Sequence, residues 1–118
     1  MILLKIHAFR LTKGMDLKKS IEDYVVEHNI KSGVILSGVG CVYKAVLRTA
    51  DGVTVVTLDN HYEIVSVTGT LSVDGCHIHI SLSDNDLNVI GGHLKDGCLV
   101  NVTAEIVLGE FEDKCRST

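Results

Sequence analysis

Hydrophobic and polar residues alternate along most of this chain, which is the pattern of half-buried β-strands. The alternation and the many β-branched residues predict strands at 2–9, 41–49, 53–58, 61–71, 76–83 and 98–108. A shorter apolar run at 34–37 precedes Gly38-Val39-Gly40, which predicts a break or a bulge in the strand. Asp-Gly pairs predict tight turns at 51–52, 74–75 and 96–97.

A helical period replaces this alternation in one segment near the N-terminus. Asp16 is a residue type that caps helix N-termini. From there, positions on one helix face recur at Leu17, Ile21, Tyr24, Val25 and His28. The pattern predicts one helix that ends near residue 29, with a glycine at 33 beyond it.

One early helix followed by six or seven antiparallel strands predicts an α+β fold that is mostly antiparallel β-sheet. The sequence contains no proline, which agrees with strands inside a sheet. At 118 residues the chain is expected to form one domain, 1–118. Its hydrophobic content of 46% is high for this length, so we expect association between subunits to cover part of the apolar surface.

The charge and composition exclude several classes of function. The net charge is −4 and the longest basic run is Lys18-Lys19, which argues against binding of a nucleic-acid backbone. An aromatic content of 4% argues against a base-stacking platform. No segment approaches the ~20 apolar residues of a membrane span, and the first seven residues lack the features of a signal peptide. We therefore expect a cytoplasmic protein with no membrane partner.

The cysteines form neither a paired metal motif nor a disulfide framework. Reduced thiols are expected, as in a reducing compartment. Cys41, Cys76 and Cys98 lie in apolar strand segments and are expected to pack as small hydrophobic residues. Cys115 lies in a polar tail and is expected to be exposed.

The densest polar chemistry lies in the strand that holds His77 and His79. Side chains alternate in a strand, so these two histidines share one face, about 7 Å apart along the strand. The turn residues 84–86 and the apolar pair 89–90 then lead back toward that strand. Gly91-Gly92 allows close approach of the backbone, and a return strand brings His93 beside the pair.

Three neutral imidazoles with an open position suit Zn²⁺, or alternatively Cu, Ni or Fe. The alternative interpretation is a set of ordinary histidines on a polar face that titrate freely. The strand 98–108 places Val100, Val102, Ala104 and Ile106 on one face, and Asn101, Thr103 and Glu105 on the other. If the latter face meets the histidines, Thr103 or Glu105 orients an imidazole. Otherwise that face is simply solvated.

Several segments carry a resemblance to a known family, the plants-and-prokaryotes conserved domain, called PPC or PCC. The matching residues, in chain order, are Arg10 with Gly14 and Asp16, Ile35-Leu36-Ser37-Gly38-Val39-Gly40, Glu63-Ile64-Val65-Ser66-Val67-Thr68-Gly69-Thr70, His77-Ile78-His79-Ile80-Ser81-Leu82-Ser83-Asp84, Gly91-Gly92-His93-Leu94 and Val102-Thr103-Ala104-Glu105. The last three blocks, in this order and spacing, are the most specific. The matches run through most of the chain.

The resemblance implies a compact sandwich-like fold and a homotrimer, and it implies that His77, His79 and His93 gather a metal. It does not imply DNA binding. In the plant proteins an AT-hook with an Arg-Gly-Arg-Pro segment touches the minor groove, and this chain contains no proline and no such segment. A DNA-binding label on such a chain is an analogy with the plant proteins at the level of the fold.

Two functions remain open at this point. The first is a homotrimeric metal-binding module whose open position supports hydrolytic or lyase-like chemistry on a small molecule. Glu63, Asp84 and Glu105 are its candidate acid–base or orienting groups, although no spacing fixes a carboxylate pair. The second is a non-enzymatic module for oligomerisation or regulatory interaction. Direct DNA binding ranks last, because the charge is unfavourable.

Overall fold

The computed structural model describes residues 2–113 as one helix and seven strands. The elements are β1 (Ile2–Thr12), α1 (Leu17–Glu27), β2 (Gly33–Arg48), β3 (Val55–Leu58), β4 (Tyr62–Leu71), β5 (His77–Ser83), β6 (Val89–Leu94) and β7 (Leu99–Asp113). Every strand pairing is antiparallel. The predicted α+β class, with one helix near the N-terminus, is confirmed.

The long strand β2 organises the sheet. The strand order is β1-β7-β2-β4-β5-β6, with β3 also paired to β2. Near its end β2 pairs a second time, through Leu47 with Leu94 and Arg48 with His93 of β6. Strands β2, β4, β5 and β6 therefore form a closed ring, which only a strand as long as the 16 residues of β2 can complete.

The helix packs against the core through the face that the spacing of its apolar residues predicts. Leu17, Ile21 and Val25 are fully buried and join the apolar side chains of the strands in one core. The helix ends at Glu27, two residues before the predicted position, and Asn29 follows with a positive φ of 51°. Such a left-handed residue is a common way for a helix to end.

A buried histidine joins the helix to strands β1 and β7. His7 on β1 is 7% exposed, its Nδ1 lies 2.8 Å from the Tyr24 hydroxyl, and its Nε2 lies 2.8 Å from Glu110 Oε1. Burial, together with Glu27 and Glu110, raises the pKa of Tyr24. The phenol therefore stays protonated and can donate to His7. This network gives both ring nitrogens of the buried His7 a partner, as buried polar groups require.

The structure corrects two details of the predicted strands. Of the two alternatives predicted for residues 38–40, the break does not occur, because β2 is continuous there. The bulge alternative agrees with a register shift against β7 between Gly40 and Cys41. Gly40 pairs with Ala104 and Cys41 pairs with Asn101, so Val102 and its neighbour bulge out of β7. Val102 has a φ of 57° and is 66% exposed. The prediction that it shares the buried face of β7 was therefore wrong.

The thiols agree with the predicted packing only in part. Cys98 is buried, and burial raises the pKa of its thiol to about 11. Cys41 and Cys76 are half-buried. Cys115 lies outside the described residues. Over residues 2–113, the one helix is too short and too polar to cross a membrane.

Asp16 links the helix to the turn before β7, and its substitution tests this part of the fold. Its Oδ1 accepts from the Lys19 amide at 3.0 Å and its Oδ2 accepts from the Gly97 amide at 2.7 Å. We expect Asp16→Ala to lower the free energy of unfolding by about 1–3 kcal/mol, since it removes a helix cap and a second hydrogen bond. Urea denaturation at fixed protein concentration measures this change.

The control is Asp23→Ala, which removes an exposed carboxylate from the same helix. It should change stability by less than about 0.5 kcal/mol. Equal effects of the two substitutions would contradict the bridging role of Asp16.

Candidate metal centre

The core determines which way the histidines of β5 point. Ile78 and Ile80 are buried, at 0% and 3% exposure. Because side chains alternate along a strand, His77 and His79 must then lie on the opposite, solvent-facing side, and both are exposed. The predicted shared face of the two histidines is confirmed.

The return strand β6 places the third histidine beside them. His79 and His93 are directly paired residues of the β5–β6 ladder. A side chain at Gly91 would put its Cβ 2.7 Å from the Ile80 carbonyl oxygen, and one at Gly92 would put it 2.8 Å from the Arg48 carbonyl oxygen. The two glycines therefore let β6 fit between β5 and the end of β2.

The three imidazoles converge on one point. One ring nitrogen from each of His77, His79 and His93 lies within 4.8 Å of the other two. The Nε2 atoms of His77 and His79 are 3.0 Å apart. A tetrahedral Zn²⁺ with ligands at 2.0–2.1 Å separates its ligand nitrogens by roughly 3.3 Å. The observed separation of 3.0 Å and the upper limit of 4.8 Å lie on either side of that value.

The electrostatics at His93 favour the form that binds metals. Its Nδ1 is buried and has no hydrogen-bond partner among the described residues. Burial, followed by the nearby charges of Arg48, His77, His79 and Lys95, lowers the pKa of His93. A depressed pKa keeps the ring neutral near pH 7, and the neutral ring is the metal ligand. The donor set therefore fits a divalent transition metal.

The site opens into a cavity of about 480 Å³. The cavity is bounded by the three histidines, Gly91, Gly92 and the end of β2, Arg48, Thr49 and Ala50. A smaller groove of about 210 Å³ lies on the other side of His77 and His79, along β4. Three candidate ligands beside open space are typical of catalytic metal sites, which keep a coordination position free, rather than of closed structural sites.

Thr103 and Glu105 do not join this cluster within the chain. They lie on β7, which β2 and β4 separate from β5 in the sheet order. The Glu105 carboxylate pairs with Arg10 at 3.4 Å, and Thr103 is in register with Thr12. Within one chain, this face of β7 does not meet the histidines. Thr103 and Glu105 therefore cannot orient an imidazole of the same chain.

Asp84 and Glu63 border a second, separate cavity of about 350 Å³. Asp84 Oδ1 accepts from the amides of Asp86 and Asn88, both at 2.9 Å, so this carboxylate shapes the turn between β5 and β6. His61 borders the same cavity, where its Nδ1 lies 3.2 Å from Asn101 Nδ2. Asp84 thus stabilises the turn that joins β5 to β6, the two strands that carry His77, His79 and His93.

Arg48 is a residue of the site that the sequence did not indicate. It is in register with His93 and borders the cavity of the histidines. The two residues are 45 positions apart in the chain. No local motif marks the contact, because it depends on the second pairing of β2.

Curated relatives match nearly the whole chain. A bifunctional protein GlmU from Synechococcus sp. (strain JA-3-3Ab) is 38% identical over 107 residues, which are 91% of this chain and 17% of that protein. The AT-hook motif nuclear-localized protein 16 of Arabidopsis thaliana is 27% identical over 92% of this chain and 46% of that protein. The chain thus spans a minor part of the length of these relatives.

Solved structures share the fold. A hypothetical protein from Salmonella cholerae-suis matches with a TM-score of 0.90 and 29% identity, over 93% of this chain and 80% of that one. A metal-containing protein from Archaeoglobus fulgidus matches with a TM-score of 0.79 and 31% identity, over 92% of this chain and 80% of that one.

The family comparison agrees with the motif blocks in the sequence and with the fold. The family model described as "Plants and Prokaryotes Conserved (PCC) domain" matches residues 3–112, nearly the full length of the chain. This protein therefore belongs to the Plants and Prokaryotes Conserved (PCC) domain family.

Proposed function

We propose that this PCC domain is a metal-binding module in which His77, His79 and His93 hold one divalent transition metal, with zinc as the first candidate. The observation that carries the proposal is the convergence of three ring nitrogens within 4.8 Å. The buried, unpartnered Nδ1 of His93 supports it, since such atoms are rare in folded proteins.

Two further observations support a functional metal. The similar protein from Archaeoglobus fulgidus is named as metal-containing. The cavity beside the histidines leaves room for a further ligand. A bound divalent metal would act there as a Lewis acid and polarise a ligand oxygen. Copper, nickel and iron are the alternatives to zinc for an imidazole set.

The proposal includes a homotrimer, which the family resemblance implies. An apolar patch on the sheet supplies a surface for assembly. It consists of Leu4, Ile6, Leu36 and Phe111, which are 48%, 55%, 47% and 47% exposed. These residues surround Gly109, which pairs with Ile6 and lies next to the side chains of Leu4 and Leu36. Contiguous exposed apolar surface of this kind marks interaction sites.

The position of this patch favours the second candidate function, an oligomerisation or regulatory interaction module. The patch lies on β1, β2 and β7, whereas the histidines lie on β5 and β6. None of the three histidines belongs to the patch, so we expect assembly through the patch not to need them as contacts. The net charge of −4 disfavours direct nucleic-acid binding as the purpose of either function.

Metal analysis of protein prepared without a histidine tag tests the first function. We expect about one metal per chain in the wild type and loss of most of it in His79→Ala, because two imidazoles alone bind a divalent ion weakly. His61→Ala is the matched control, since His61 is exposed and borders a different cavity. Metal-free wild type after growth and refolding with zinc, copper, nickel or iron would refute the proposal.

Gly92→Ala tests the placement of His93 without removing a ligand. The new Cβ would press on the Arg48 carbonyl, 2.8 Å away, and push β6 from β2. We expect metal affinity to fall at least about tenfold, because the surroundings that orient His93 as a metal ligand would be displaced. Competition with a chromophoric chelator measures it.

Ser81→Ala, on the paired strand and in register with Gly91, is the control and should bind metal like the wild type. Wild-type affinity in Gly92→Ala would show that the close approach of β6 does not position the site.

Sedimentation of Ile6→Glu tests the assembly surface. We expect the wild type to have a mass in sedimentation of about three times the 12.8 kDa of one chain. Ile6→Glu should sediment as a monomer, because it would bury an unpaired carboxylate in the interface between subunits, which is costly. Val26→Glu is the control, since Val26 is 61% exposed on the helix. The histidine variants should remain trimeric. A monomeric wild type at micromolar concentration would contradict the trimer.

A further inference from the structure

One nitrogen of the Arg48 guanidinium, Nε, has no hydrogen-bond partner in the described part of the chain. This nitrogen is buried. Arg48 takes part in none of the ion pairs found among residues 3–112, the range whose side chains are described. A buried guanidinium nitrogen without a partner is costly, because the charge loses hydration and gains nothing in return. The side chain therefore fits a role in binding something outside the chain.

The position of the unpartnered Arg48 Nε indicates where such a ligand would bind. Among the described residues, the buried side-chain nitrogens and oxygens without a partner are Arg48 Nε and His93 Nδ1. These two residues are directly paired between β2 and β6, and both border the cavity of about 480 Å³. Because nearly all buried polar groups in proteins are satisfied, two exceptions at one cavity indicate a missing ligand.

The charge of the cavity indicates what kind of ligand it is. Its lining contains Arg48 and the three histidines, and no aspartate or glutamate. The charge of Lys95 also reaches this site, where it acts on His93. A divalent metal would add two further positive charges. An anion is therefore the complementary occupant.

We propose that this cavity binds a small molecule through an oxyanion group, a carboxylate or a phosphate, held between Arg48 and the open position of the metal. The proposal rests on the metal-binding function proposed above and adds its ligand class. The volume lies within the ~300–1,000 Å³ typical of small-molecule sites. Ala50, Gly91 and Gly92 line the cavity with little side-chain bulk, which leaves room for the rest of the molecule.

Arg48 acts in this proposal as a binding residue. Its planar guanidinium donates two parallel hydrogen bonds to a carboxylate or phosphate, whereas a lysine in its place would act as a point charge. Arg48 is in register with His93, so an anion held by its guanidinium would lie near a metal held by the histidines. The anion should therefore bind more tightly when the metal is present.

The test uses protein loaded with Co²⁺ in place of zinc, because anion binding at an open cobalt position changes the visible spectrum. The probes are acetate, methylphosphonate and neutral acetamide, titrated spectroscopically and by calorimetry. We expect one or both anions to bind and acetamide not to bind. The stronger of the two anions identifies the carboxylate or the phosphate as the group that is recognised.

Variants of the two arginines in the described chain decide the role of Arg48. We expect Arg48→Ala to retain cobalt and to bind the preferred anion at least about tenfold more weakly, the cost of a lost charge-assisted hydrogen bond. Arg48→Lys should recover part of the affinity. Arg10→Ala, which removes an exposed guanidinium on β1, should match the wild type.

Unchanged anion affinity in Arg48→Ala, or equal binding of acetamide, would overturn the proposal while leaving the metal site intact. Failure of the wild type to bind cobalt would instead refute the metal-binding function. In that case the same titrations on metal-free protein decide the role of Arg48: binding that is lost in Arg48→Ala supports it, and binding that is unchanged or absent overturns it.

Discussion

The structure depends on the double pairing of one short strand. Strand β6 pairs with β5 along its length and with the last residues of β2 at its end. Both contacts are close enough that a Cβ at Gly91 or Gly92 would collide with backbone oxygens. This constraint closes the ring of strands and places His93 against both His79 and Arg48. The geometry of the site is thus a consequence of how the sheet closes.

The histidine cluster and the apolar patch lie on different strands of the sheet. The histidines and Arg48 lie at the β5–β6 side, where the ring of strands closes. The apolar patch lies across β1, β2 and β7, on the other side of β4 in the strand order. Under the proposed function, one chain of this size would serve as an assembly unit and carry a ligand site on different strands.

Much of this arrangement could be predicted from local sequence. The alternation in β5 determined the face of His77 and His79, and the glycine pair indicated the return of His93. Contacts that depend on register could not be predicted. Val102 leaves the buried face because Asn101 and Ala104 pair with adjacent residues of β2. The Gly38-Val39-Gly40 segment predicted a break or a bulge near this point, but not that the extra residues would lie on β7. Arg48 and the position of Glu105 depend in the same way on which strands are neighbours.

Anomalous diffraction from crystals of protein prepared without a histidine tag tests the central claim most directly. The account predicts one anomalous peak per chain, about 2.0–2.1 Å from a ring nitrogen of each of His77, His79 and His93. Data at the absorption edge of the bound element would identify the metal. Rings that stand apart, or that surround only water in crystals grown with the metal, would contradict the account.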